Sequence, residues 1–327
     1  MHPILRKLII FVATLWAAVT VNFFIPRLMP GTPADAAIGK LAGDGPVSPA
    51  TRQAIEDTLG VPTGGLATQY GHYLDDIVHL RFGLSYTYFP ESVGSLIAGA
   101  LPWTLVLVGS ATVLAFVVGT LAGVAAAWRR GRITDTLATV GSTFTSAFPY
   151  FWTALLLLFV FAFGLNWFPI KGGYAADASP NWSASFVADA AFHSVLPALT
   201  ILVSGLGGWL LGMRNNMVNT LGEDYVTFAE ANGLRGRTIA LRYAARNALL
   251  PNITAFGMAL GLVVGGSLLT EVVFAYPGVG YLLFNAVVNE DFPLMQALFL
   301  VITVSVLVAN LIVDLLYGVL DPRARRI

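Results

Sequence analysis

Apolar residues run almost unbroken along most of this chain, and the polar ones are gathered into a few blocks. Six stretches are long and apolar enough to cross a bilayer as helix, which takes about 20 residues. They lie near 8–28, 101–127, 137–165, 195–217, 252–274 and 297–319. Their interiors are rich in Leu, Val, Ala, Phe and Gly, without a sustained two-residue alternation, so the pattern predicts helices and not a barrel. The segment 30–100 carries many Pro and Gly, and within it 52–60 and 69–80 read as short helices. A second loop, 166–192, holds Trp167, Tyr174 and Trp182, residues at home at a membrane interface. The loop 128–136 is short, and 218–251 is a long polar island. The first apolar run also has features of a signal peptide, with Arg6-Lys7 before it and Ala34-Asp35-Ala36 after it. Yet Leu8–Ile25 is longer than a signal core and the small-residue site lies well beyond it, so the run reads as a span.

Composition sharpens this to an integral membrane protein. Of 327 residues 56% are hydrophobic and 11% charged, against about 25% charged in soluble domains. Cysteine is absent, which excludes disulfides and thiolate metal sites. A net charge of zero offers no basic field for nucleic acid. The basic residues are unevenly placed. With a cytoplasmic N-terminus and six alternating spans, the inner side holds Arg6, Lys7, Arg129, Arg130, Arg132, Arg214, Arg235, Arg237, Arg242, Arg246, Arg323, Arg325 and Arg326. The outer side holds Arg27, Lys40, Arg52, Arg81 and Lys171. That is the distribution the positive-inside rule expects, with both termini cytoplasmic. The organisation predicted is all-α and polytopic. It has an N-terminal transmembrane helix at 1–30, an extracytoplasmic segment with short helices at 31–100, and a five-helix core at 101–327 that contains the cytoplasmic loop 218–251.

The island has capping order. Gly222-Glu223-Asp224 places carboxylates at a helix N-terminus. Tyr225, Phe228 and Ala229 recur at i, i+3 and i+4 and predict one short apolar face. Gly233 falls where a left-handed residue ends a helix. Arg235 and Arg237 follow, then a second helical stretch from Thr238 to Leu250, and Pro251 closes the loop. One reading is a solvated loop whose arginines anchor two helices to anionic headgroups. The other is a helix lying along the membrane, its apolar face seated in another protein's groove.

Gly222-Glu223-Asp224-Tyr225-Val226, then Ala229-x-Ala231-x-Gly233-Leu234, then Arg246-Asn247-Ala248-Leu249-Leu250-Pro251 resemble the dipeptide/oligopeptide-type permeases of ABC importers. The resemblance runs along nearly the whole chain. Met29-Pro30-Gly31-Thr32-Pro33-Ala34 is similar to that family's P-G-D-P-A segment, with Thr32 replacing the acid. Phe82-Gly83-Leu84-Ser85, Glu271-Val272-Val273-Phe274, Pro277-Gly278-Val279-Gly280, Asp314-Leu315-Leu316-Tyr317 and Leu320-Asp321-Pro322-Arg323 match further segments in order. One departure stands out. Aligned on Gly233, Thr227-Phe228-Ala229 occupies the place of the Glu-Ala-Ala usual in importer permeases.

The resemblance implies a type I importer permease in the cell membrane of a prokaryote, forming half of a pore with a second, similar permease. It implies two ATPase subunits that bind ATP and magnesium, and an extracytoplasmic substrate-binding protein that delivers cargo. The island would be the coupling helix, with Asp224, Tyr225, Phe228, Ala229, Ala231, Gly233 and Leu234 facing the ATPase. Peptides are the first substrate class implied, with oligosaccharides and nickel as variants.

The residues add a motor that lies elsewhere. None of the three lysines stands in a Gly-Lys-Ser/Thr sequence, so no P-loop is present and no catalytic role or cofactor is expected of this chain. His72 and His79, seven apart, are the nearest approach to a metal pair, a weak spacing signal for which the expectation is no metal. Glu271 has two readings: part of an outer gate with Pro277 and Gly278, or a cap on amides of the Val272–Gly280 turn. Asp314 is read as a structural partner for an inner arginine. Intramembrane proteolysis lacks its paired groups. An ion-coupled transporter would want several buried ionisable groups and an internal repeat, neither of which is evident.

Overall fold

The structure is a computed structural model and describes residues 3–28, 35, 38, 39, 48–59, 64–265 and 267–320. Met29–Ala34 and the closing Asp321–Pro322–Arg323 lie outside the described residues, as does the side chain of Asp314. Among the described residues the regular structure is helical, with one isolated bridge between Leu84 and Ser92. The helices are α1 (Pro3–Phe24), α2 (Pro49–Leu59), α3 (Leu66–Val78), α4 (Val93–Trp128), α5 (Ile133–Ala147) and α6 (Tyr150–Leu157, continued by a π segment to Gly164). They continue with α7 (Ala184–Leu221), α8 (Asp224–Ala231), α9 (Gly236–Gly265), α10 (Leu268–Val273), α11 (Val279–Val288) and α12 (Phe292–Leu320).

Five helices are long and apolar enough to cross a membrane, and α5 with α6 makes a sixth span if the bent pair counts as one. The bend is 94° and falls at Phe148-Pro149, where the residue before a proline is pushed out of the helical region. Phe148 takes φ −86°, ψ 132°. The expected span at 137–165 is therefore broken.

The fifth span departs most from expectation. The basic stretch after Gly233 and the following apolar run are one helix, α9, which ends at Gly265 and not near 274. Pro251 lies inside it and does not close the loop. Proline removes one backbone donor and crowds the carbonyl four residues earlier, here that of Asn247, yet the helix continues through it, after a wider π turn at Ile239–Ala245. The expected end failed because Leu268–Val273, equally apolar, forms the separate helix α10 after Gly265.

The fold groups into two compact units. The first comprises Met1–Thr104, Val264–Leu268 and Pro277–Leu311, the second Leu105–Val263, Leu269–Tyr276 and Ile312–Ile327. In the first unit the start of α4 packs through Val93, Ile97 and Ala100 on α11 and on Leu294 and Leu298 of α12. Thr104 Oγ1 accepts the Val279 N–H at 2.7 Å. Asn22 of α1 donates to Tyr73 of α3 at 3.0 Å and to the Gln296 carbonyl of α12 at 2.9 Å. Asp291, wholly buried, caps α12 by accepting the Leu294 N–H at 3.2 Å. The same carboxylate accepts from the Ser85 hydroxyl and from the Thr87 N–H. A single buried acid thus joins the Phe82–Ser85 segment to the last span.

The second unit is built around α7, which its neighbours approach at backbone distance. A Cβ on Gly123 of α4 would lie 2.6 Å from the Leu210 carbonyl oxygen and 2.8 Å from Met213 Cβ. One on Gly119 would lie 2.7 Å from Trp209 Cβ. On the other side, a Cβ on Gly207 would lie 2.8 Å from the Ser142 carbonyl oxygen of α5. Small residues at such crossings let helices gain dispersion contact where lipid supplies no hydrophobic drive between them. Phe116 stacks on Phe256 at 4.2 Å and meets Trp209 edge-on at 5.3 Å, filling the space between α4, α7 and α9.

Gly207 and its neighbour Gly208, exposed and with open space around its Cβ position, make a matched pair. Gly207→Ala is expected to destabilise the purified protein by about 1–3 kcal/mol through overpacking. Gly208→Ala should stay within about 1 kcal/mol of the wild type or improve on it. Thermal unfolding in one detergent at matched concentration checks this.

Candidate functional site

The polar island folds as α8 followed by the start of α9, wholly within the second unit. Glu223 is the N-cap residue of α8 and Asp224 stands in its first turn, where carboxylates favour the helix dipole. At the other end, Asn232 is the C-cap and Gly233 has φ +74°. The Gly233 N–H donates to the Glu230 carbonyl at 2.9 Å, and the Leu234 N–H to the Ala229 carbonyl at 3.3 Å. These two bonds form a Schellman motif, with glycine in the left-handed position. Asn232 Nδ2 adds a bond to the Phe228 carbonyl at 2.7 Å. The turn is thus specified by residues that satisfy three of the last carbonyls of an eight-residue helix.

The face of α8 divides differently from the sequence expectation. Val226 and Ala229 are buried and pack on Ile239, with Leu221 beside them. Tyr225 and Phe228 point away, and Phe228 is 71% exposed. Ala229 therefore does not share an outward face with Phe228. The i, i+3 pair Val226 and Ala229 is the inward stripe, and the simple reading missed it by starting the face one residue early. Asp224, Tyr225, Phe228, Ala231, Gly233 and Leu234 are exposed, together with Thr227 and Glu230. Tyr225 is held by its hydroxyl, which accepts from Asn247 Nδ2 on α9 at 2.8 Å.

Beneath α8 lies a seam of small and flexible side chains. Ala127 of α4, Met213 and Met217 of α7, and Ala240, Ala244 and Ala248 of α9 are buried together. Gly236 sits under the Trp128 ring, which a Cβ would approach to 3.0 Å. The seam fixes the start of α9, and α8 is clipped to that start through Ile239.

One further pair escaped sequence reading. Asp135 of α5 and Arg214 of α7 form a two-pronged ion pair, Nε to Oδ1 at 2.6 Å and Nη2 to Oδ2 at 2.9 Å. The Asp135 side chain is 5% exposed. Its carboxylate also accepts the Gly131 N–H at 3.0 Å, closing the turn between α4 and α5. A signal existed in Asp135, a lone acid three residues into a helix behind an Arg-Arg-Gly-Arg turn, although its partner 79 residues away is invisible to periodicity.

The remaining expected residues fall elsewhere. Glu271 is wholly buried in the second unit. Its carbonyl accepts the Tyr276 N–H at 2.8 Å, and Ala275 between them takes φ +45°. The Tyr276 hydroxyl bonds Ser194 of α7 at 3.0 Å. Pro277 and Gly278 belong to the first unit, where Gly278 caps α11. The first unit also encloses a cavity of about 140 Å³ lined by Arg27, Tyr73, Tyr86, Phe292 and Gln296 among others. Burial pushes the Tyr73 hydroxyl up to about 12, so it stays a neutral donor and acceptor. No group of metal-ligating residues occurs among the described residues.

A short, rigidly capped helix presenting an apolar side chain beside a multi-span helical core matches one class of membrane protein. Residues 119–326 match the family of binding-protein-dependent transport system inner membrane components, and the chain belongs to that family. It is a multi-pass inner-membrane permease, and membership implies a substrate-binding protein and an ATPase as partners. The oligopeptide transport system permease protein of Bacillus subtilis is 32% identical over 98% of each chain. The di/tripeptide transport system permease protein of Pseudomonas aeruginosa is likewise 32% identical over 98% of each. The dipeptide transport system permease protein of Escherichia coli is 31% identical over the same share.

The two faces of α8 predict opposite mutational behaviour. Val226→Ala should loosen α8 by about 1.5–2 kcal/mol, from the apolar carbons it withdraws from burial. Phe228→Ala should alter stability by no more than about 0.5 kcal/mol. Tryptic cleavage at Arg235 in the purified chain reads the difference, rising about tenfold in the first variant and little in the second.

Proposed function

We propose that this chain is the permease of a peptide importer, that α8 is its coupling helix, and that the exposed Phe228 is the anchor an ATPase subunit grips. The observation that carries the reading is the division of α8. Its inner face is locked on Ile239, its end is fixed by the Schellman turn, and a large apolar side chain is left 71% exposed. An aromatic residue held in place on a rigid support is what a binding groove recognises at least ordering cost. Tyr225 and Leu234, also exposed, would flank it, and Asp224, Ala231 and Gly233 would form the polar and small rim. Ala229 acts from beneath as a support.

Peptides are the substrate class that the names of the three relatives favour. The chain would form half of a pore with a second, similar permease. Two ATPase subunits would bind ATP and magnesium, and an extracytoplasmic protein would deliver the peptide. The chain itself would hydrolyse nothing. The bias of its basic residues favours a cytoplasmic side for both termini and α8, where the ATPase subunits would be.

Uptake of a labelled dipeptide into vesicles, at matched permease levels, tests the reading. Gly233→Asp forces a side chain into the left-handed position at φ +74° and should swing Phe228 off its line. Phe228→Ala removes the anchor itself. Both variants should insert normally, lose most uptake, and retain at least about tenfold less ATPase subunit on purification, the effect of one strong hot spot. Uptake and ATPase recovery at wild-type levels in both variants would reduce α8 to a membrane anchor.

A further inference from the structure

The geometry points to Asp135 and Arg214 as the positioning pair that carries movement of α8 into the broken helix pair α5–α6. The inference rests on the coupling role proposed for α8 but concerns residues outside it.

Arg214 lies about two turns before the end of α7, and α7 runs to Leu221, which packs beneath α8. Along these turns α7 is clamped on one side by α4, where a Cβ on Gly123 would meet Leu210 and Met213. Such close-packed backbones slide poorly and move as one body. Toward α5 the stem is also closely packed, and there the contact is of two kinds. Higher up, Gly207 lies against the Ser142 carbonyl, a non-directional contact. Lower down, the guanidinium grips Asp135 at 2.6 and 2.9 Å, a directional bond with fixed planar geometry.

Asp135 has a second hold, on the Gly131 N–H at 3.0 Å. Gly131 takes φ +78°, so the turn from α4 into α5 has its shape set by this carboxylate. The pair therefore joins the base of α7, the turn after α4 and the first turn of α5. At its far end α5 reaches the 94° bend into α6. On its other side α5 presents Ile133, Leu137, Val140 and Phe144 outward. A push on α8 would thus reach the first turn of α5 and the turn after α4 through this directional joint. Removing Arg214 leaves the Asp135 carboxylate, 5% exposed, without its cation, and removing Asp135 leaves the partly exposed Arg214 without its fork partner, so either change opens the joint.

The test uses the whole importer in proteoliposomes, with Asp135→Asn, Arg214→Gln and the double variant. Dipeptide imported per ATP hydrolysed is the readout, and ATPase subunit retention is measured alongside. Each single variant should retain its ATPase subunits, hydrolyse ATP, and import about tenfold less per ATP, within the range of a typical coupling energy. The double variant should be no worse than either single one, since the two act as a pair. A ratio within twofold of the wild type in both single variants, or loss of the ATPase subunits, would overturn the assignment. Arg214→Lys keeps the charge but not the fork, and should assemble normally with a reduced ratio. If the neutral variants fail to assemble while Arg214→Lys transports with a wild-type ratio, the pair serves folding alone and the inference is lost. Phe228→Ala run in parallel separates the two proposals, since ATPase retention unchanged in that variant discards the coupling role of α8 whatever the ion pair does.

Discussion

The close approach of α7 to α4 and α5 is the constraint from which the α8 end of the second unit follows. At Gly119, Gly123 and Gly207 no side chain intervenes between backbones, so the axis of α7 is set to within the give of van der Waals contact. Arg214 is thereby delivered to Asp135, and Leu221 to the underside of α8. From Leu221 onward, short local devices suffice. Val226 and Ala229 take one face of α8, a glycine turn reverses the chain, and Trp128 covers Gly236 as α9 begins. Nothing in α8 is stable by propensity alone, because a helix of eight residues is too short to hold itself. It persists because both ends and one face are tied.

The first unit solves a related problem with polar groups. Asp291 is buried with three acceptor contacts, to Ser85, Thr87 and Leu294, and Asn22 links α1 to α3 and α12. A buried carboxylate that accepts several donors holds its site in one arrangement, since each lost partner leaves a costly charge. The Phe82–Ser85 segment, conspicuous in the sequence, thus has a structural task in this unit.

Hydropathy revealed the membrane class and five spans, with the sixth if the bent pair counts as one, because these rest on composition over about 20 residues; the helices Pro49–Leu59 and Leu66–Val78 were legible from start and stop signals. It failed where a boundary depends on single residues. Pro251 looked like a stop, yet α9 passes through it. Leu268–Val273 looked like the end of a span, yet it is a separate helix beyond Gly265. At the candidate site, the turn at Gly233 was readable because only a left-handed residue fits that pattern of caps. Of the expected face, Tyr225 and Phe228 are exposed and Ala229 is buried, since only the position of Ile239 decides which stripe turns inward. The Asp135–Arg214 pair and the second hold of Asp135 on Gly131 depend on tertiary placement, which no local pattern encodes.

In the reading proposed above, α8 offers Phe228, and not its buried face, to an ATPase subunit. The chain has no cysteine, so single cysteines at 226, 228 and 229 can be cross-linked in the assembled importer with a short thiol–thiol reagent against cysteines in the ATPase groove. Strong cross-linking is expected from 228 and little from 226 or 229. Equal cross-linking from all three positions, or none from 228 in an importer that transports normally, would contradict it.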